Sequence, residues 1–200
     1  MAEVALFHSV LGVRPGMHDA AERLRAAGHE VLVVDQYDGR VFEDYDEAGR
    51  YAEGVGFPEL MRRAVDAVEG LADGLVAVGF SNGAGMAEHV ATQRACAGVV
   101  LVSGALPLAV LGSAAWRAGT AAQIHGTRGD PFRRQEWLDA LVTDIRSAGS
   151  SVEIFDYPGS GHLFTDPSLP AEHDPQAAAA LWERVEAFCR RATARDRRGA

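Results

Sequence analysis

No apolar run in this 200-residue chain is long enough to span a bilayer, so no membrane-spanning helix is expected. Cysteine is scarce. Cys96 and Cys189 lie far apart and form no CxxC pair, which excludes a disulfide framework and a zinc knuckle. Basic charge is in deficit: 19 Lys and Arg against 28 Asp and Glu give a net charge of −9. Phosphate binding needs a basic surface, so a nucleic-acid partner is not expected. The first eight residues carry no basic stretch ahead of their apolar positions, which argues against a secretory signal and makes the cytoplasm the simplest location. No His, Cys, Asp and Glu grouping has a ligand spacing such as HExxH. Gly12-Val13-Arg14-Pro15-Gly16 lacks the lysine of a phosphate loop and the GxGxxG spacing. Neither a metal nor a cofactor is expected.

What is present is the composition of an ordinary globular protein, 48% hydrophobic and 24% charged, with length for one well-buried core. Short, nearly unbroken apolar runs at 4–8, 30–34, 74–79, 97–103, 121–126 and 151–157 read as parallel strands covered on both faces. Between them lie amphipathic segments at 17–27, 58–71, 82–93 and 133–148. A last helix is announced by Asp174 as N-cap and Pro175 at N1. This alternation predicts an α/β fold, a single domain over 1–189 with helices on both faces of one sheet. Residues 190–200 hold five arginines and one acid and read as a frayed, solvated end. Two long connections, 36–57 and 105–120, break the alternation. Tyr37, Tyr45, Tyr51, Phe57 and Trp116 in them suit either a pocket wall or core packing. No internal repeat is present.

In such sheets ligands sit beyond the carboxyl ends of the strands, so residues just after each strand are the ones to examine. Gly79-Phe80-Ser81-Asn82-Gly83 is a G-x-S-x-G pattern between a convincing strand and a convincing helix. There a sharp, strained turn exposes a serine hydroxyl, and the next backbone N–H, that of Asn82, can hold an oxyanion. A serine is a poor nucleophile without a base. Of seven histidines, His162 lies in a glycine-rich loop after the last strand, with His173 as runner-up. His8 precedes the nucleophile in the chain. His18, His29 and His89 fall on or beside helices and read as solvated, and His125 lies inside a strand. Asp130 follows the fifth strand in Gly126-Thr127-Arg128-Gly129-Asp130-Pro131, between serine and histidine in chain order.

With these residues in place the sequence resembles the dienelactone hydrolase family almost from end to end. Phe7–Gly12 is similar to its first active-site loop, Gly79–Gly83 to its nucleophile elbow, Gly126–Phe132 to its aspartate turn and Tyr157–Phe164 to its histidine loop. The resemblance implies a compact α/β-hydrolase fold, a three-layer sandwich of about six mainly parallel strands in the order 2-1-3-4-5-6. It also implies the Val10 N–H as second oxyanion donor, and the loops suggest Ser9, Tyr37 and Phe164 as substrate contacts. The family's best-known members have cysteine in place of Ser81 and glutamate in place of Ser9. A serine has no thiolate whose protonation a carboxylate must manage, so the two changes are coherent. Because the sequence starts directly at the loop-bearing strand, a compact core without the antiparallel N-terminal hairpin common in larger relatives is expected.

The expected activity is hydrolysis of a small-molecule ester, lactone or thioester through an acyl-enzyme, with Ser81, Asp130 and His162 as the catalytic residues. Two other readings compete: a non-catalytic small-molecule-binding protein on the same scaffold, which a fluorophosphonate would fail to label, and an acyltransferase, which product analysis with added alcohols would expose. Either a monomer or a homodimer is compatible with the sequence.

Overall fold

The structure, a computed structural model, describes the backbone of residues 1–199 and the side chains of residues 1–192. Six strands form one sheet: β1 (Glu3–Phe7), β2 (Glu30–Val34), β3 (Leu75–Phe80), β4 (Cys96–Val102), β5 (Ala121–Thr127) and β6 (Val152–Tyr157). Their order is β2-β1-β3-β4-β5-β6, and every neighbouring pair is parallel. The expected strand order and the α/β-hydrolase architecture therefore hold, and strand ends differ from the apolar runs by about one residue.

Burial along the strands follows from position in the sheet. Central β3 is buried at all six residues, because helices cover both its faces. Edge strands β2 and β6 are only partly buried. Alternate side chains supply the two faces: Ala5, Phe7 and Ala77 enter one core, Val4, Leu6, Val76 and Val78 the other.

Six helices clothe the sheet. Helix α1 (Pro15–Ala26) packs Met17, Ala20, Ala21 and Leu24 on one face, together with Leu181, Val185 and Cys189 of α6 (Pro175–Gly199). The opposite face receives Leu60 and Ala64 of α3 (Phe57–Ala67), Met86, Ala87 and Val90 of α4 (Asn82–Gln93), and Leu141 and Ile145 of α5 (Gln135–Ser147). These are the i, i+3, i+4 stripes that made the segments legible. Asp174 Oδ1 accepts from the Gln176 and Ala177 amides at 3.0 Å, the N-cap expected for α6.

Two expectations change. The connection 36–57 is not irregular: it contains helix α2 (Tyr45–Val55), capped by Asp44, whose Oδ1 accepts from Glu47 N at 2.8 Å. Asp44-Tyr45-Asp46-Glu47 is a capping signature that the few apolar residues around it obscure. His29 is buried rather than solvated, with Nδ1 accepting from the Ala2 amide at 3.3 Å. The backbone of α6 continues past residue 189. The expectation of a frayed end was for 190–200, and of these the side chains of 193–200 lie outside the described residues. Among the described residues no helix is long and apolar enough to cross a membrane.

Candidate active site

The site is built at the carboxyl edge of the sheet, beginning at the turn from β3 into α4. Ser81 has φ 53° and ψ −115°, a left-handed conformation rare for a residue with a side chain. Its backbone is locked by Ser81 N donating to Val102 O at 2.8 Å and Ala84 N donating to Ser81 O at 2.9 Å. The flanking glycines are a steric necessity. A Cβ at Gly79 would lie 2.0 Å from Gly83 O, and one at Gly83 would lie 2.2 Å from Phe7 O. The strand, the helix and the neighbouring β1 can approach this closely only because those side chains are missing.

His162 reaches this serine from the loop after β6. Its Nε2 is 2.7 Å from Ser81 Oγ, and its Nδ1 is 2.7 Å from Asp130 Oδ2. With the Nδ1 proton directed at the carboxylate, Nε2 is left to accept from the serine hydroxyl. Asp130 and His162 are both buried. The other carboxylate oxygen, Oδ1, accepts from Phe132 N at 2.8 Å, which fixes the aspartate in its turn. Residues from three separate strand ends therefore form one continuous hydrogen-bonded line.

The histidine loop is held from several sides. Ser103 Oγ donates to His162 O, and Thr127 Oγ1 donates to Gly161 O at 2.9 Å. Glu172 Oε2 accepts from Leu163 N at 2.6 Å, while Glu172 Oε1 accepts from the Tyr45 hydroxyl at 2.9 Å. Helix α2 is thus strapped to the residue after the histidine. Burial first, and the bond to Glu172 second, push the Tyr45 phenol well above its ordinary pKa. The imidazole lies against Phe132, with ring centroids 4.7 Å apart, and Tyr45 stands at 6.1 Å.

His8 is unsuited to act as a base. It is fully buried, Nδ1 donates to Ser9 O at 2.6 Å and Nε2 accepts from Gln36 N at 3.1 Å. Burial holds its pKa below the usual histidine range. His125 is buried between Gln123 Oε1 and the Tyr157 hydroxyl, each 2.9 Å away. The runner-up His173 has its amide on Leu169 O and makes no bond to Ser81.

The Asn82 amide follows Ser81 at the start of α4, and Val10 lies in the turn after β1. Neither N–H donates to a protein group among the described residues, so both are free to take an acceptor. The three residues expected as substrate contacts lie elsewhere. Ser9 is buried and turns its hydroxyl to accept from Leu11 N at 3.2 Å. Tyr37 is fully buried in an edge-to-face cluster with His8 and Tyr51, and burial pushes its phenol up to about 12. Phe164 is fully buried against Tyr157. None of the three lines the cavity at Ser81. Large aromatics near a site but beneath its loops serve packing first.

That cavity has a volume of about 270 Å³ and opens beside Ser81, Asn82, Asp130 and His162. It runs across the ends of β4 and β5 toward Ile154 of β6, beneath Trp137 and Leu138 of α5. Of the aromatics in the two long connections, only Phe57 lines it. Leu106, Phe132, Trp137, Leu138 and Ile154 had no sequence signal that set them apart from core positions. Glu88 did have one. This acid sits within the apolar helix α4, is fully buried, and accepts from Leu106 N at 3.1 and 3.3 Å. Burial raises its pKa well above the ordinary value, against the opposing pull of the Leu106 amide. Among the described residues no group of three or more His, Cys, Asp or Glu is placed to hold a metal ion.

The arrangement can activate a serine hydroxyl and stabilise charge on an attacked carbonyl oxygen. The profile of the dienelactone hydrolase family matches residues 2–193. No curated protein matches the sequence. The fold is similar to that of the solved structure called m3DLH, at TM-score 0.79 and 23% identity over 96% of this chain and 86% of that one. It is similar to a dienelactone hydrolase-like promiscuous phosphotriesterase from metagenomic libraries, at TM-score 0.78 and 21% identity over 96% and 87%. A third likeness is a dienelactone hydrolase reported from Klebsiella pneumoniae, at TM-score 0.74 and 17% identity over 94% and 86%. These structural likenesses establish the fold, and the profile match establishes descent. The chain belongs to the dienelactone hydrolase family, whose hydrolases act on ester bonds.

Proposed function

We propose that this protein hydrolyses carboxylic esters through an acyl-enzyme formed on Ser81. The observation that carries the reading is the unbroken line Asp130–His162–Ser81, with both links at 2.7 Å, at the mouth of an apolar cavity. His162 Nε2 removes the hydroxyl proton as Oγ bonds to the carbonyl carbon. The Asn82 and Val10 amides receive the oxyanion. Collapse of the tetrahedral intermediate breaks the bond to the leaving alkoxide, which takes the proton back from His162. Water then repeats the sequence against the acyl-enzyme, releasing the acid and restoring Ser81. Asp130 keeps the imidazole in the tautomer that presents a lone pair to serine.

General-base assistance accounts for about 10²–10⁴ in rate, and each oxyanion donor for about 10²–10³. A fluorophosphonate probe tests the reading: one equivalent of label on Ser81 is expected, with none on Ser81→Ala and little on His162→Ala. Both variants should lose nearly all hydrolysis of p-nitrophenyl acetate and keep the native circular dichroism. Absence of label on the native protein would leave a binding protein as the better account, and wild-type-like turnover by either variant would overturn the assignment.

A further inference from the structure

We propose that the cavity between α5 and the β5–β6 end of the sheet is the binding site for one unbranched alkyl arm of a neutral ester, about six to eight carbons long. The inference rests on the catalytic reading above and names the substrate class for that site.

The walls carry the argument. Phe57, Leu106, Ile124, Trp137, Leu138 and Ile154 line the cavity, so a chain leaving the carbonyl at Ser81 meets apolar surface along the run. The cavity is continuous with the reactive serine and histidine, because both line it as well. Its wall follows from packing: α5 seats Leu138, Leu141 and Ile145 in the core, and Trp137 and Leu138 in its first turn also line the cavity. At roughly 30 Å³ for a water-sized group, such as a methylene, 270 Å³ corresponds to about nine groups, the carbonyl included.

The two arginines of the lining are engaged within the protein. Arg133 pairs with Asp156 at 2.5 Å and bonds Gln135 Oε1 at 3.0 Å, and the Arg134 guanidinium lies over the Trp137 ring, 4.9 Å from its centre. Leu106 does not float on its loop. Its amide is tied to the buried Glu88 carboxyl, which sets the wall at fixed depth. A rigid apolar wall rewards each methylene that reaches it and nothing beyond its end.

Two ester series measured on the full chain test this. In p-nitrophenyl alkanoates the alkyl arm is the acyl group, and in alkyl acetates it is the alcohol. One series should show kcat/KM rising about fourfold per added methylene, equivalent to about 0.8 kcal/mol, then levelling at six to eight carbons. Ile154→Trp, at the far end on an exposed edge strand, should lower the ratio of octanoate to acetate turnover (or of octyl to methyl ester) about tenfold. Trp137→Ala should move the plateau to longer chains. Two flat series in a protein that labels fully at Ser81 would overturn the cavity assignment while leaving the catalytic reading intact. Faster turnover of a carboxylate-bearing ester than of a neutral one of equal length would also overturn it, since Arg134 would then be holding an anion. If Ser81 does not label, the catalytic reading fails first, and this assignment fails with it.

Discussion

At the scale of single residues, the site is organised by hydrogen bonds that fix the positions of its side chains. Asp130 divides its two oxygens between the His162 ring and the Phe132 amide, so neither the carboxylate nor the imidazole can turn without losing a bond. Asp130→Asn replaces one oxygen by an N–H₂ group that cannot accept the Nδ1 proton. The imidazole then shifts tautomer and turns a proton toward Ser81. Ester turnover should fall by about 10⁴ at pH 7, with the thermal midpoint little changed, and part of the loss should return at high pH as serine needs less assistance. A drop of less than tenfold would show that the aspartate does not control the tautomer.

Among the elements, helix α2 reaches the histidine loop while burying few of its own residues. Only Ala48 is fully buried in it, yet its Tyr45 hydroxyl reaches Glu172, which holds the amide following His162. The helix depends on its cap. Asp44→Ala should cost about 1 kcal/mol in stability, read from denaturant unfolding, and should loosen the strap on the histidine loop. Hydrogen exchange at the Leu163 amide should quicken in this variant. Unchanged exchange there would mean that Glu172 holds the loop without help from α2. Sequence reading missed this element because the residues around it are acidic and aromatic and not periodic. The cap at Asp44 and Glu47 was nonetheless visible in the same four letters.

For the whole molecule, three buried titratable groups set opposing limits of pH. Burial lowers the pKa of His8, and it lowers that of His125 to about 3. An unfolded histidine takes up its proton below about 6.5, while folded His125 stays neutral to about pH 3. Stability is therefore lost as pH falls below 6.5. Glu88 acts in the other direction. Its unfolded carboxyl ionises above 4.5, whereas burial keeps the folded one protonated to higher pH, so its contribution weakens as pH rises above 4.5. Glu88→Gln keeps an oxygen for the Leu106 amide but cannot ionise. Its urea midpoint relative to the native protein should rise steadily from pH 5 to pH 8. A difference that stays constant with pH would show that Glu88 is already ionised in the folded state.

The amino-acid pattern alone gave the strands, the helices on both faces and Ser81, Asp130 and His162 as candidates, because each is read from local sequence, whereas their meeting is made by the tertiary fold. Apolar runs mark strands, stripes mark helices, and a glycine-flanked serine between a strand and a helix suits a sharp turn. Strand order came from the family likeness, since periodicity does not say which strands are neighbours. Only the tertiary structure decided which side chains meet the cavity. Tyr37 and Phe164 went inward, while Leu106, Trp137 and Ile154 line the space beside Ser81. An apolar residue carries the same sequence signature whether it fills a core or borders a void, and the difference is set by how the helices and loops pack over the sheet.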